Sequence, residues 1–244
     1  MMILASRECS YKKEDALVRF GRFTFASVLL LLGCCFSQDR GGTDPKVALP
    51  LIREVLSKAQ VSGSLAYWGQ CDWHRSYPDF PVLRAATHSG SPTEVLQDMF
   101  AADPDMRVTQ ENGGKIRMVE KDAPTDLLEV KIHHLSFPTG LMHHGPHTAL
   151  QTILMTPEVI AFRRAHSIGP LAELTRGFPV PGDCCGGPSV SGDLDDVTVA
   201  QALDYVLQTF PGFWLYENCQ DTRGERTVVF NFFGNDPFFR RTQR

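Results

Sequence analysis

In the middle of the chain, apolar residues change from the spacing of a helix to the alternation of a strand, and this change limits the folds that the chain can adopt. Apolar residues lie at helical spacing over 92–100, and they alternate with other residues over 106–110 and over 115–119. The two alternating segments flank Asn112-Gly113, a pair of residues that is typical of a tight turn between antiparallel strands. The pattern therefore predicts one amphipathic helix followed by a β-hairpin.

The same order of elements returns near the C-terminus. Helical spacing over 197–210 precedes two predicted strands, at 214–216 and 226–233. An offset of 107 residues aligns the two helices and the two first strands without a gap, whereas the second strands need five further residues. The two patterns predict an α+β fold in which small antiparallel sheets pack against amphipathic helices, with the further hypothesis that the two helix-hairpin units are related.

The remaining predicted elements follow from the same two periods. The acidic residues Asp183, Asp193, Asp195 and Asp196 lack the spacing of an EF-hand calcium loop, so they are expected to form a solvated loop with a cap for the next helix. The sequence further predicts helices at 47–60, 147–155 and 156–168, strands at 61–70 and 127–137, and a loop at 178–193 that is dense in Gly, Pro and Asp.

An uncharged stretch near the N-terminus is typical of an export signal. No charged residue lies in 23–38, and Arg19 and Arg22 precede its Leu-rich centre. The apolar part is shorter than the roughly 20 residues that cross a membrane as a helix. We therefore expect a signal peptide at 1–37, no transmembrane span after its removal, and a periplasmic or extracellular location. The long polar segment before Arg19 also allows a translation start inside that segment.

Two processing sites stay open for this signal. Leu31-Leu32-Gly33-Cys34 resembles the lipobox of bacterial lipoproteins, in which the cysteine carries the lipid. Small residues at Cys35 and Ser37 favour a different cleavage, which releases a chain that starts at Gln38. The exported protein is thus expected either to be anchored through Cys34 or to be released in soluble form.

The predicted elements and the signal divide the chain into six parts. Short polar or Gly-rich stretches separate the parts that have a clear apolar period. We expect a signal peptide at 1–37, a spacer at 38–46, an N-terminal α+β unit at 47–137, a helical and loop connection at 138–192, a C-terminal helix-hairpin unit at 193–233 and a tail at 234–244.

The number of cysteines agrees with export. Removal of residues 1–37 leaves four cysteines, namely Cys71, Cys184, Cys185 and Cys219. An even number in an exported domain indicates disulfide bonds. A bridge between the adjacent Cys184 and Cys185 would strain the peptide between them. The prediction is therefore that Cys71 and Cys219 each pair with one member of that adjacent pair.

Composition and motifs exclude several classes of function. A formal net charge of −4 and a pI near 6.1 provide no basic footprint for phosphates, so no nucleic-acid partner is expected. With 43% hydrophobic residues the chain can bury a core, unlike a disordered chain. The sequence contains no GxSxG elbow, no GxGxxG loop and no Walker loop, which argues against an α/β-hydrolase, an oxidoreductase and a kinase.

Histidines give the candidate for metal chemistry. His143, His144 and His147 lie close together in the loop 141–147, and imidazole groups bind zinc, copper or nickel. The segment has no HExxH pattern and no carboxylate between the histidines that would act as a general base. We therefore expect no cofactor, and zinc bound by these three histidines is the alternative.

The C-terminal unit resembles the short N-terminal domain of secretins and TonB-dependent transporters. The resemblance rests on 198–207, which follows the helix pattern of that domain, and on 213–216 and 227–230, which follow its two strand patterns. Residues 92–119 resemble the same pattern more faintly. The resemblance implies a small periplasmic interaction module without catalytic residues. No barrel or secretin pore pattern follows in this sequence, so the resemblance does not indicate the partner.

These observations favour a non-enzymatic exported module for interaction or assembly in the cell envelope, with an envelope protein or peptide as its partner. The alternative is a metal-dependent hydrolase that uses His143, His144 and His147. The two hypotheses require different structures. An enzyme needs these histidines beside an acidic residue in one pocket, whereas a binding module needs an exposed edge strand or an apolar groove.

Overall fold

A computed structural model of the protein describes residues 43–70, 80–87, 89–111, 113–137, 145–169, 188–220 and 224–234. These residues belong to one compact unit, Arg40–Arg244. None of the helices in this part of the chain is long and apolar enough to cross a membrane. In chain order the elements are α1 (Pro45–Ala59), β1 (Gly63–Gln70), α2 (Pro92–Met99), β2 (Met106–Gln110), β3 (Ile116–Glu120), a 3-10 helix (Asp126–Glu129), β4 (Lys131–Phe137), α3 (Pro146–Leu154), α4 (Pro157–Ala165), β5 (Gly192–Thr198), α5 (Val199–Thr209), β6 (Gly212–Gln220) and β7 (Arg226–Gly234).

Side chains at the helix starts explain why several helices begin where the sequence predicts them. Asp44 accepts a hydrogen bond of 2.9 Å from a backbone N–H in the first turn of α1. Ser91 and Glu94 each accept a hydrogen bond from the backbone of the other at the start of α2. Thr198 and Gln201 form the same reciprocal pair at the start of α5. These caps satisfy N–H groups that have no partner inside the helix.

Five strands form the main sheet, and β1 lies at its centre. The strand order is β2-β3-β1-β6-β7. β1 runs parallel to both of its neighbours, and the two edge strands pair antiparallel with β3 and β6. The prediction of small antiparallel sheets is therefore confirmed for the separate two-stranded β4–β5 sheet and wrong for this larger sheet, which is mixed. Alternation of apolar and polar residues along a segment indicates a strand, but it does not indicate which strands lie beside it.

The two predicted units share this sheet. β1 comes from the predicted unit 47–137 and β6 from the predicted unit 193–233, yet the two strands pair along their whole length. The parallel pairing requires a crossover connection, and the chain between β1 and β6 contains helices α2 to α5 and strands β2 to β5. The division into an N-terminal and a C-terminal unit therefore does not correspond to two separate sheets.

Alternate residues of β1 face two different cores. Leu65 and Tyr67 pack in one core with α1 and α2, where Ile52 and Leu56 are fully buried. Ala66 faces the second core, which also holds residues of α3, α4, α5 and the β4–β5 sheet. Burial of one such aliphatic side chain stabilises a fold by about 1.5–3 kcal/mol. The sheet is thus the middle layer of the fold, and helices cover both of its faces.

The strand predicted at 127–137 is wrong in its first part. Residues Asp126–Glu129 form the 3-10 helix, and the strand begins only at Lys131. Alternation would place Leu127 and Leu128 on opposite faces of a strand, but both side chains are buried in the same core. A turn of 3-10 helix can bury two consecutive leucines, which an extended strand on one core cannot do.

The end of the loop predicted at 178–193 also differs from the structure. Residues 178–187 lie outside the described residues, whereas β5 begins at Gly192 and includes Asp193, Asp195 and Asp196. The helix that follows is capped by Thr198 instead of by an aspartate. The aspartates are exposed and lie opposite β4, so this strand is held by pairing with β4 and not by its own β propensity.

Candidate functional site

β2 forms one edge of the five-stranded sheet, and it is exposed. Arg107, Thr109 and Gln110 are exposed, Met106 is half-buried, and Val108 is 7% exposed beneath α2. The strand is only five residues long. An exposed edge is one of the two features that a binding module can use, because unpaired backbone groups at an edge can pair with another chain.

The hydrogen bonds at the two ends of the hairpin show which backbone groups of β2 face outward. Glu111 N–H donates to the Lys115 carbonyl at 2.8 Å, and Lys121 N–H donates to the Asp105 carbonyl at 2.8 Å. In an antiparallel pair, alternate residues face the partner strand. Odd-numbered residues of β2 therefore bond to β3, and the N–H and C=O groups of 106, 108 and 110 face outward.

Two hydrogen bonds from nearby residues occupy part of this outward edge. Met106 N–H donates to the Asp103 carbonyl at 3.2 Å, and Gln97 Nε2 donates to the Val108 carbonyl at 3.1 Å. Within the described residues, no hydrogen bond reaches the N–H of Val108 or the backbone N–H and C=O of Gln110. The open edge is therefore short, and its free groups lie toward the Gln110 end.

A groove of about 460 Å³ lies between α2 and β2, and its lining along β2 includes Met106, Arg107, Val108 and Thr109 but not Gln110. Its apolar floor includes Phe100, Met106 and Val108, and Gln97 and Asp103 contribute polar groups to it. A strand that paired with β2 would place alternate side chains on the α2 side of the sheet, where this groove lies. The groove therefore provides a surface that can distinguish between side chains of a bound segment.

Buried Asp98 fixes the helix that forms one wall of the groove. Its carboxylate accepts hydrogen bonds from Thr87 N–H at 2.6 Å and from Thr87 Oγ1 at 2.9 Å, and it also forms an ion pair with Arg84. The hydrogen bond from the Thr87 N–H and the bond from Arg84 hold the pKa of Asp98 well below its ordinary value. The segment before α2 is thus tied to the helix by a charged group, which keeps the wall of the groove in place.

The face of the edge that points away from α2 is charged. Arg117 and Lys115 both form ion pairs with Glu111 and with Asp204 of α5. Arg107 lies on the same face, opposite Val119 of β3, and no carboxylate among the described residues forms an ion pair with it. The positive charges of β3 are therefore neutralised within the fold, whereas the charge of Arg107 faces solvent at the open edge.

The predicted metal ligands are only partly covered by the structure. His143 and His144 lie outside the described residues, and His147 is half-buried in the first turn of α3. In the described part of the chain, no three His, Cys, Asp or Glu side chains are grouped so that they could hold a metal ion. This part of the structure therefore does not bring His147 into a set of metal ligands.

Two other histidines pair with aspartates across the β4–β5 sheet. His133 Nδ1 lies 3.2 Å from Asp196 Oδ1, and His134 Nδ1 lies 2.8 Å from Asp195 Oδ1. The hydrogen bond to Asp195 raises the pKa of His134 above its ordinary value. All four side chains are mainly exposed, so these pairs stabilise the sheet only weakly.

The predicted disulfides lie mostly outside the described residues, as does the candidate lipidation site Cys34. Cys219 is buried on β6 and is disulfide-bonded. Cys71, Cys184 and Cys185 all lie outside the described residues. The pairing of Cys219 with Cys184 or Cys185 therefore stays a prediction.

A polar network inside the fold was not indicated by the sequence. Tyr216 Oη and Asn218 Nδ2 both donate to the Pro124 carbonyl, at 2.9 and 3.0 Å. Arg226 donates from Nε to Asn218 Oδ1 at 3.0 Å and forms an ion pair with Asp126. Burial raises the pKa of Tyr216 to about 12. The tyrosine is thus a neutral hydrogen-bond donor that joins the β6–β7 hairpin to the 124–126 segment.

The sequence predicted the hairpin of β2 and β3, but the place of β2 at the open edge was not predicted. The signal that existed was the composition of β2, because a short strand with Arg107, Thr109 and Gln110 on its surface is typical of an exposed edge. Comparisons with protein-family models, with curated proteins and with solved structures find no match to this chain. The geometry of the β2 edge and its groove is therefore the strongest indication of function in this protein.

Proposed function

We propose that the protein is an exported, non-enzymatic interaction module that binds an extended segment of a cell-envelope protein along β2. One observation carries this proposal: Val108, whose N–H faces outward, lines the apolar groove under α2, and the free backbone groups of Gln110 continue the same edge. Backbone hydrogen bonds would supply affinity for any extended segment, and the groove would select among side chains.

The size of the edge limits the expected affinity. β2 offers only three outward residues, and a typical net hydrogen bond contributes about 0.5–1.5 kcal/mol. The rest of the affinity must come from apolar side chains that enter the groove, because burial of one such side chain contributes about 1.5–3 kcal/mol. A short, extended segment that binds with modest affinity fits this site better than a large folded surface.

The order of elements also supports an envelope role through the resemblance to secretin and transporter domains. Both α2 and α5 are followed by an antiparallel hairpin, as the resemblance implies. The hairpins join β1 differently, the first through its second strand β3 and the second through its first strand β6. If the two units arose by duplication, one of them has changed the strand through which it pairs.

Export itself is part of the proposal and rests on the signal-like stretch at 23–38 and on the even number of cysteines beyond it. The metal-dependent hydrolase with His143, His144 and His147 has no supporting observation within the described residues. The interaction module is therefore the function that the geometry supports best.

The test uses displayed random peptides of about ten residues, which is enough to form one strand. Peptides that bind the wild-type protein are measured against Gln110→Pro, which removes an outward N–H without removing a bond to β3. Gln110→Ala is the matched control, because it shortens the same side chain and keeps the N–H. We expect binding to fall in the proline variant only. Selected peptides that bind both variants and the wild type equally would overturn the proposal.

A further inference from the structure

We infer that the segment bound by β2 is an alternating one, with apolar side chains on the α2 side and an acidic side chain opposite Arg107. The inference rests on the proposed function, since it names the chemistry of the partner at the same edge. It is based on the difference between the two faces of β2. Val108 lies on the apolar face beneath α2, and the exposed Arg107 lies on the other face.

The pleat of the sheet separates the side chains of a docked strand into two sets. Side chains of neighbouring strands on the same face lie about 4.5–5.5 Å apart at their Cβ atoms when the residues are directly opposite. One set would therefore lie over the groove floor formed by Phe100, Met106 and Val108. The other set would lie beside Arg107 and Thr109, which are exposed on the opposite face.

The first set must be apolar. Val108 is buried beneath α2 and belongs to the same core as Phe100 and Leu96. A polar side chain placed directly over Phe100, Met106 and Val108 would lose water without gaining a partner from these three residues, which costs free energy. An apolar side chain would instead remove the exposed part of Met106 from water. The groove therefore favours segments with an aliphatic or aromatic residue at every second position.

The second set must contain an acid because of the charge at this edge. Arg117 and Lys115 already have carboxylate partners in Glu111 and Asp204, so they do not attract a further anion strongly. Arg107 is the exposed cation of β2 itself, and no ion pair within the described residues neutralises it. A carboxylate directly opposite would meet a planar guanidinium, which favours that partner over a lysine or a neutral residue.

An alternative role for Arg107 makes a different prediction. Charged side chains on edge strands also prevent unwanted pairing between edges. A residue with only that role would not select acidic partners, and its replacement by another charged residue would have no effect on which segments bind. The sign of the charge at position 107 therefore separates a binding role from a purely protective one.

The experiment measures the composition and affinity of displayed peptides selected on three forms of the full chain. The forms are the wild type, Arg107→Glu, and the matched control Lys121→Glu, which makes the same change of charge at an exposed residue just beyond β3. Thermal unfolding of each form confirms that it folds, and Arg107→Gln provides a neutral variant if the glutamate form does not fold.

We expect peptides selected on the wild type to alternate apolar and other residues and to be enriched in Asp or Glu. Arg107→Glu should weaken them about fivefold, as expected for an exposed charge pair, and should select Lys or Arg instead. Lys121→Glu should leave both the affinity and the selected residues unchanged.

Two results would contradict the inference, and they are distinguishable. Peptides that lose binding in Gln110→Pro but show no acidic enrichment and no response to Arg107→Glu would overturn the inference alone, and Arg107 would then be a guard against edge pairing. A selection that yields no peptide dependent on Gln110 would overturn the proposed function and the inference together.

Discussion

The two edges of the sheet differ in length, polarity and exposure. β2 has five residues, and Arg107, Thr109 and Gln110 are exposed on it. β7 has nine residues, and Val228 and Phe230 are 0% and 4% exposed. The side chains of β7 are thus largely buried, whereas three of the five side chains of β2 are exposed. Natural proteins protect an open edge by, among other means, keeping it short and charged, and β2 has both of these features.

Contacts at the first residue of β7 show how that edge begins to be covered. Gly169 N–H donates to the Arg226 carbonyl at 2.8 Å, and Ile168 forms a parallel bridge with Arg226. On β2 the corresponding contacts come from one side chain, Gln97, and one turn carbonyl, Asp103. Backbone groups thus contact the β7 edge near Arg226, while one side chain and one turn carbonyl contact part of the β2 edge.

A substitution on β7 should have the greatest effect on stability. Phe230→Ala removes a buried aromatic ring that packs against Tyr216, with 5.1 Å between ring centroids. Loss of such a ring costs about 3–5 kcal/mol of the free energy of unfolding. Thr109→Ala on β2 is the comparison, and it should change that free energy by less than about 0.5 kcal/mol. Urea unfolding measures both. Equal effects at the two edges would show that they do not differ in burial.

Acid should weaken the attachment of α2 beside the open edge. The pKa of Asp98 is below its unfolded value, so its contribution to stability is full above a pH of about 4 and is lost as the pH falls toward the folded value. Asp98→Asn should lower the free energy of unfolding at neutral pH and reduce its dependence on acid. Urea unfolding at neutral and acidic pH tests this.

Asp126 provides the control at the other edge. Its pKa is lowered mainly by the hydrogen bond from Arg226, and the carboxyl is more exposed than that of Asp98. Asp126→Asn should therefore reduce the acid dependence by a smaller amount. An acid dependence that neither variant changes would contradict the roles assigned to both carboxylates.

The sequence predicted local elements better than it predicted neighbours in the sheet. The hairpin at Asn112-Gly113 and the helix capped by Ser91 depend on residues close in the chain, and such patterns can be recognised directly. The central position of β1 depends on pairing with strands about 50 and 150 residues away, which no local period reports. The place of β2 at an edge depends on that strand order, and its short, polar composition was the sign of it in the sequence.

Acidic residues concealed one strand from the sequence prediction. Asp193, Asp195 and Asp196 lower the β propensity of β5, so the segment resembled a loop. In the structure His133 and His134 lie across from two of these aspartates and pair with them. The strand is thus specified by its partner β4, and this information is not local in the chain.

A more modest change is expected from the side chain that covers part of β2. Gln97→Met keeps the length of the side chain but removes the hydrogen bond to the Val108 carbonyl. Loss of this bond should lower the free energy of unfolding by at most about 1.5 kcal/mol. The freed carbonyl should also make the β2 edge more prone to pair with a second copy. Sedimentation velocity at increasing concentration detects that association. A variant that stays as monomeric as the wild type would show that Gln97 does not protect the edge.

The weakest effect concerns the β4–β5 sheet, which has two edges of its own. The hydrogen bond from Asp195 raises the pKa of His134, so the pair stabilises the sheet below the unfolded histidine pKa of about 6.5 and less as the pH rises through the folded value. Asp195→Asn should return the pKa of His134 toward the ordinary value. An NMR titration of the imidazole measures it, and an unchanged pKa would show that the pair does not form in solution.

Amide hydrogen exchange along β2 decides whether this edge is open and able to pair with another chain. In the free protein, the amides of Arg107 and Thr109 should exchange slowly since they bond to β3, whereas the amides of Val108 and Gln110 should exchange fast. A selected peptide should slow the exchange of Val108 and Gln110 and leave Arg107 and Thr109 unchanged. Slow exchange of Val108 and Gln110 in the free protein, or no change on peptide binding, would contradict an open edge that binds by strand pairing.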